Sequence, residues 1–223
     1  MEEALQAGWK VDSVFRAPEH AIVTGSIPRF HISARLLQSV SLLEHSTGIL
    51  ALARKRLVPI DQIRLNGCAL LLDGLQDPGN IGTLLRSAAA FGISAVLSTP
   101  GTTHLYNPKI VRAAMGAMFH LQLSEEVDPE GLQLFLRKKR AQLFCADSRS
   151  GQDPSRLDGP ARWVIAVGHE TTGVSPQLKA LASKLIRIPT VPAVDSLNAG
   201  VAGSILLYLF TRMGDGRPAQ GGA

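Results

Sequence analysis

Short continuous apolar runs recur along most of this chain, and helical spacing fills the gaps between them. "CALLLDG" (68–74) is apolar on both faces for the length of a strand and closes on Asp-Gly. A strand of that kind belongs in the middle of a parallel sheet, covered on both sides. "SAVLST", "AQLFCAD", "WVIAVG" and "KLIRIP" repeat the pattern downstream. Between these runs, "NIGTLLRSAAAFG" is helical and stops at Gly92, and "NPKIVRAAMGA" is helical with Pro108 near its first turn. "DPEGLQLFLRKKR" offers Asp128 as a cap and a basic last turn, and "SPQLKALASK" is helical again. "VDSLNAGVAGSILLYLF" (194–210) ends as a buried helix. Strands alternating with helices predict an α/β fold built on a parallel sheet.

Residues 1–65 have a shorter texture. "EEALQAG" reads as a helix ending at Gly8, "KVDSVF" alternates like a strand, "SARLLQSVSLLEH" has helical spacing and "GILALARK" reads as a strand. A small first domain (1–65), a larger second domain (67–213) and a disordered tail from Gly214 to residue 223 are expected.

Composition narrows the function classes. The chain has 223 residues, 45% of them hydrophobic and 18% charged, which suits a globular protein with a substantial core. The formal net charge of +5 is compatible with a nucleic-acid partner. Residues 1–65 carry eight basic and six acidic side chains and the remainder fifteen and twelve, so no single tail holds the excess. Cys68 and Cys145 each sit in an apolar run and read as buried free thiols; there is no zinc spacing, no metal is expected, and a reducing cytoplasm is the natural setting. The N-terminus lacks an apolar signal core, and the last apolar stretch is too short and too Gly-rich to span a membrane, so no membrane partner is expected.

In parallel α/β sheets, ligands gather beyond the carboxyl ends of the strands. The loops there read "DGLQDPGNIG", "VGHETTG" and "IPTVPAVDSLN", the most polar, turn-rich stretches of the domain. Asn80 is well placed to cap the first helix. Arg86 falls in an otherwise apolar, small-residue helix, where a guanidinium wants an anion, a carboxylate or water. The dinucleotide fingerprint G-x-G-x-x-G and the Lys of a Walker loop are both absent. The second loop is no H-E-x-x-H site, because Gly173 stands at the second His position; Glu170 is a stronger candidate there than His169. Ser196 can cap the last helix, which leaves Asp195 and Asn198 unexplained. Gly200 and Gly203 lower helix propensity by about 1 kcal/mol each and point to something packed very close. Arg54, Lys55 and Arg56 form a compact basic cluster, read as a solvated turn or a phosphate contact.

Taken in order, "DPGNIGTLLRSAAAFG" (77–92), "VGHETTGVS" (167–175) and "IPTVPAVDSLNAGVA" (188–202) resemble the three motifs of the SpoU-type (TrmH-like) RNA ribose 2′-O-methyltransferases of the SPOUT superfamily. "LYNPKIVRAAMGA" (105–117) resembles the family's segment between the first two motifs, and the resemblance covers about 67–213. It implies a C-terminal deep trefoil knot, S-adenosylmethionine as cofactor and a homodimer in which Arg86 reaches the partner's cofactor. Gly168, Ile188 and Leu197 would hold the cofactor, with a side chain at Gly168 expected to crowd it. Asn80, Arg86, Glu170, Ser196 and Asn198 would form the catalytic region. Arg54, Lys55, Arg56, Lys109 and Arg112 would contact RNA; "RKKR" (137–140) reads first as a solvated helix end. Residues 1–65 resemble, less strongly, an incomplete L30e-like substrate-binding domain. His169, Asp195 and Ala199-Gly200 depart from the common Asn, Glu and Val-Ser.

The implied function is 2′-O-methylation of structured RNA, with 23S ribosomal RNA favoured over transfer RNA by analogy with two-domain relatives. A non-catalytic RNA-binding protein on the same scaffold and a nucleotide-dependent oxidoreductase are the rival readings.

Overall fold

The computed structural model describes residues 2–17, 27–41, 48–157, 161–191 and 196–213. Asp195 and the tail from Gly214 lie outside the described residues. The chain divides into two compact units, up to Arg56 and from Leu57 onward. The division falls earlier than residue 65 because the intervening segment belongs to the second unit. Val58 donates its N–H to the Leu123 carbonyl at 2.8 Å, and Ile63 and Leu65 lie in that unit's core.

The first unit holds α1 (Glu2–Gln6), β1 (Val11–Arg16), β2 (Arg29–His31), α2 (Ala34–Val40) and β3 (Ile49–Ala53). Its sheet has the order β2-β1-β3, with β1 parallel to β2 and antiparallel to β3. Ser33 caps α2 by accepting the Leu36 N–H at 3.2 Å. The three-residue strand β2 left no readable signal in the sequence.

The second unit runs β4 (Cys68–Asp73), α3 (Pro78–Ala90), β5 (Ala95–Ser98), α4 (Pro108–Ala113), β6 (Gln122–Ser124), α5 (Pro129–Lys139), β7 (Gln142–Ala146), β8 (Trp163–Gly168), α6 (Pro176–Leu181), β9 (Lys184–Ile186) and α7 (Ala199–Met213). Its six-stranded sheet has the order β6-β5-β4-β8-β7-β9, and every pairing is parallel. All six residues of β4 and of β8 are buried, as continuous apolar runs in central strands require. Alternation along the strands feeds two cores. Leu70, Leu72, Ile165 and Val167 face α3 and α7, while Ala69, Leu71, Val164 and Ala166 face α5 and α6. Phe210 near the end of α7 sits edge-on to Phe144 and Trp163, with centroids 4.9 and 5.2 Å away, which fastens that helix to the sheet. Among the described residues, no helix is long and apolar enough to cross a membrane.

Glycine sets how closely the helices approach. A Cβ on Gly203 would stand 2.4 Å from Leu84 Cδ2 and 3.0 Å from Val167 Cγ2, so α7 lies against both α3 and β8. A Cβ on Gly82 would stand 2.3 Å from Ala113 Cβ and 3.0 Å from the Ala113 carbonyl carbon. Gly82→Ala should therefore lower the melting temperature. Overpacking of about 1–3 kcal/mol outweighs a helix-propensity gain of about 1 kcal/mol. A variant that melts above wild type in a thermal scan would contradict this packing.

Candidate active site

β4 and β8 lie side by side at the centre of the sheet, with Asp73 in register opposite Gly168. The chain leaves β4 toward β5 on one side and leaves β8 toward β9 on the other. Their carboxyl ends therefore form the crevice in which such sheets bind ligands.

The loop after β4 enters α3 through Asp77 and Pro78. Asp77 is the N-cap: its Oδ1 accepts the Asn80 N–H at 2.7 Å, and Pro78 fills the first helical position, where no N–H is needed. Asn80 is thus not the cap that the sequence suggested. Its amide, in a 9% exposed residue, instead donates from Nδ2 to Glu170 Oε1 at 2.8 Å. Two candidates ninety positions apart in sequence meet directly across the crevice.

Glu170 rides on a tight turn after β8. The His169 carbonyl accepts the Gly173 N–H at 2.8 Å, and His169 Nδ1 accepts the Thr171 N–H at 3.1 Å. His169 is thereby a turn-former through its carbonyl and Nδ1. Gly168 closes β8 beneath this turn. A Cβ there would lie 2.2 Å from Gly173 C and Val174 N. The crowding expected at this position thus comes from the turn's own backbone, so a substitution at Gly168 would spoil the turn whatever the cofactor does.

The third element is α7. Helix capping falls to Asn198, whose Oδ1 accepts the Val201 N–H at 3.2 Å while its carbonyl accepts the Ala202 N–H at 2.8 Å. Ser196, two residues before the Asn198 cap, is exposed and is not the cap. An ideal Cβ on Gly200 would lie 3.2 Å from both Asn198 Oδ1 and Asn80 Oδ1. The first turn of α7 therefore lies close to Asn80. Ile188 and Leu197 are half-buried, and Ile188 packs against the core beneath.

Arg86 lies on α3 six residues beyond Asn80. It is exposed and makes no hydrogen bond or ion pair among the described residues. Lys109 and Arg112 are exposed on α4. In the first unit Arg54, Lys55 and Arg56 are exposed, and Arg54 Nε pairs with Asp12 Oδ2 at 3.1 Å. The basic end of α5 behaves as a helix terminus, with Arg162 Nη1 donating to the Lys139 carbonyl at 2.9 Å.

Titration is perturbed away from the crevice. Burial pushes the Cys68 and Cys145 thiols up to about 12, so both are inert at neutral pH. Burial alone would raise Asp147, yet Lys179 Nζ at 2.6 Å and the N–H groups of Ser150 and Arg149 hold its carboxyl below the usual range. Sequence reasoning passed over Asp73, Asp77, Thr99 and Ser175. Asp73 looked like a strand-closing Asp-Gly turn, yet it is 7% exposed and accepts hydrogen bonds from Thr99 Oγ1 and the Ser175 N–H.

Residues 67–208 match the model of the SpoU rRNA Methylase family. The chain belongs to that family. It is 27% identical to the 23S rRNA (guanosine(2553)-2′-O)-methyltransferase RlmP of Bacillus subtilis (strain 168), over 93% of this chain and 84% of that one. It is 33% identical to the mitochondrial rRNA methyltransferase 3 of Xenopus laevis, over 63% of this chain and 47% of that one. The chain thus spans about half the length of the mitochondrial relative (47%). The SpoU methyltransferase AviRb of Streptomyces viridochromogenes, solved in complex with AdoMet, has the same fold. Its TM-score is 0.86 at 24% identity, over 95% of this chain and 86% of that one.

Two outcomes follow from the geometry alone. Arg86→Ala should melt within about 2 °C of wild type, because an exposed side chain without a partner holds nothing together. Gly168→Ala should lower the melting temperature and raise amide exchange in 169–175. A stable Gly168→Ala protein with an unchanged turn would contradict the backbone contact described here.

Proposed function

We propose that this chain transfers a methyl group from S-adenosylmethionine to a ribose 2′-hydroxyl of structured RNA. Ribosomal RNA is the favoured substrate, as in the names of the relatives above, and transfer RNA the alternative. The observation that carries the reading is Arg86. It is a guanidinium with no ion pair among the described residues, on the helix whose Asn80 is engaged by Glu170 at the carboxyl ends of β4 and β8. An RNA phosphate, or the charge developing on a deprotonating hydroxyl, is the anion this position lacks.

The residues present fit the cofactor. Ile188 and Leu197 offer half-buried apolar surface for an adenosyl group, Gly168 offers backbone, and the Glu170 and Asp77 carboxylates suit a cationic ligand. S-adenosylmethionine supplies an electrophilic methyl group on a sulfonium. The protein's task is alignment of the hydroxyl and help with its proton. A guanidinium offers donors and no acceptor, so Arg86 serves as a phosphate clamp or oxyanion stabiliser rather than a base. Glu170 orients the Asn80 amide, and Asn198 and Ser196 border the ribose from the α7 side. The proton leaves to solvent or phosphate.

The same reading includes the C-terminal trefoil knot, supported by the return of α7 from β9 at the sheet edge to α3 and β8 at its centre. It includes a homodimer in which Arg86 serves the partner's site, supported by Arg86 making no ion pair among the described residues and by exposed Val201 and Tyr208 on α7. It includes RNA contacts at Arg54, Lys55, Arg56, Lys109 and Arg112, and an L30e-like substrate-binding role for the first unit. Two free, buried cysteines support a reducing cytoplasm.

Mapping 2′-O-methyl groups in RNA from cells with and without the protein identifies the substrate; no missing methyl group in the deletion strain would refute the reading. On that substrate, Arg86→Ala should lose methyl transfer by about 100-fold or more while keeping cofactor affinity. Arg86→Lys should recover little, since an ammonium cannot reproduce the planar fork. Near wild-type single-turnover rates in Arg86→Ala would remove Arg86 from the site.

A further inference from the structure

Both ends of the turn that carries Glu170 lie against one buried residue, Asp73, through its backbone at one end and its carboxylate at the other. In the β4–β8 ladder Asp73 stands opposite Gly168, the residue that opens the turn. Asp73 Oδ2 accepts the N–H of Ser175, the residue that closes it, at 2.6 Å. The turn between is sealed by the Gly173 N–H on the His169 carbonyl. The other oxygen, Oδ1, accepts from Thr99 Oγ1 at 2.8 Å. Thr99 Oγ1 and Thr102 Oγ1 in turn accept the Gly74 N–H at 3.2 and 3.0 Å, which ties the loop after β5 to the loop after β4. Asp73 is also the last strand residue before the loop that leads to Asp77 and Asn80. One carboxylate thus joins the half of the crevice holding Asn80 to the half holding Glu170.

We propose that Asp73 is a positioning residue for methyl transfer, clamping the 169–175 turn so that Glu170 meets Asn80. The inference rests on the methyl-transfer reading. The physical case is one of satisfaction. Asp73 is 7% exposed, and a buried carboxylate persists only where donors are fixed around it. Removing it leaves the Ser175 N–H without its acceptor and frees one stem of the turn. Asn at this position can still accept the Ser175 N–H through Oδ1 and donate through Nδ2 to Thr99 Oγ1, so the clamp survives the loss of charge.

The test is a double-mutant cycle on full-length protein, by single-turnover methyl transfer to the RNA that wild type methylates, together with amide exchange across 169–175. Asp73→Ala should slow transfer by about tenfold or more and raise exchange in the turn, and Asp73→Asn should recover most of both. In a Glu170→Ala background, Asp73→Ala should add less than about a twofold loss, since the turn then carries no side chain to place against Asn80. Independent, fully multiplying losses, or an unchanged turn in Asp73→Ala, would overturn the proposal. Should Asp73→Ala fail to fold, Thr99→Val withdraws the hydroxyl donor at similar volume and enters the same cycle, with the same non-additive outcome expected. A wild-type protein without methyl transfer would sink the functional reading instead, and the exchange measurement would then decide the clamp by itself.

Discussion

The parallel pairing of β4 with β8, in the register that sets Asp73 opposite Gly168, is the constraint on which the site depends. Both strands are buried along their whole length, and a slip of one residue would turn each strand's apolar set to the wrong core. With that register fixed, two loops distant in sequence emerge side by side from one edge of the sheet. Asn80 and Glu170 then meet at 2.8 Å without either loop having to reach. The geometry of the candidate site is inherited from the packing of the sheet.

A second layer of order comes from side chains that are missing. Gly203 lets α7 touch Leu84 and Val167, Gly200 lets its first turn reach Asn80, and Gly168 lets the β8 turn fold back on itself. Each glycine weakens a helix or strand locally. The loss is offset by contacts that bring α3, α7 and the β8 turn together around one crevice. Capping is allotted so as to leave chemistry free: Asp77 takes the N-terminus of α3, which releases the Asn80 amide to Glu170.

Much of this was legible in the sequence. The apolar runs marked β4, β5, β7, β8 and β9, and the capping and proline signals marked α3, α4 and α5. The rule that ligands gather at strand carboxyl ends picked out the two loops whose Asn80 and Glu170 meet. The strands β2 and β6, three residues each, were not legible, because so short a pairing leaves no period to read. Asp128 caps α5 as expected, but two cap assignments fell on the wrong residue, Asn80 for Asp77 and Ser196 for Asn198. Runs such as "DPGN" and "DSLN" hold several capable side chains within one turn, and only the backbone decides among them. Asp73 was hidden because Asp-Gly after a strand is ordinary turn chemistry; its three-way role requires knowing that Thr99 and Ser175 arrive beside it. Arg86 was legible as a residue at odds with an apolar helix, and its lack of an acidic partner among the described residues is what only the fold could reveal.

The account's central claim is that these strand-end loops cradle a methyl donor. Calorimetric titration of the wild-type protein with S-adenosylmethionine, and separately with NAD, addresses it directly. Saturable binding of S-adenosylmethionine at one site per chain, with no heat from NAD, is the predicted result. Saturable binding of NAD, or none of S-adenosylmethionine to correctly folded protein, would contradict the account.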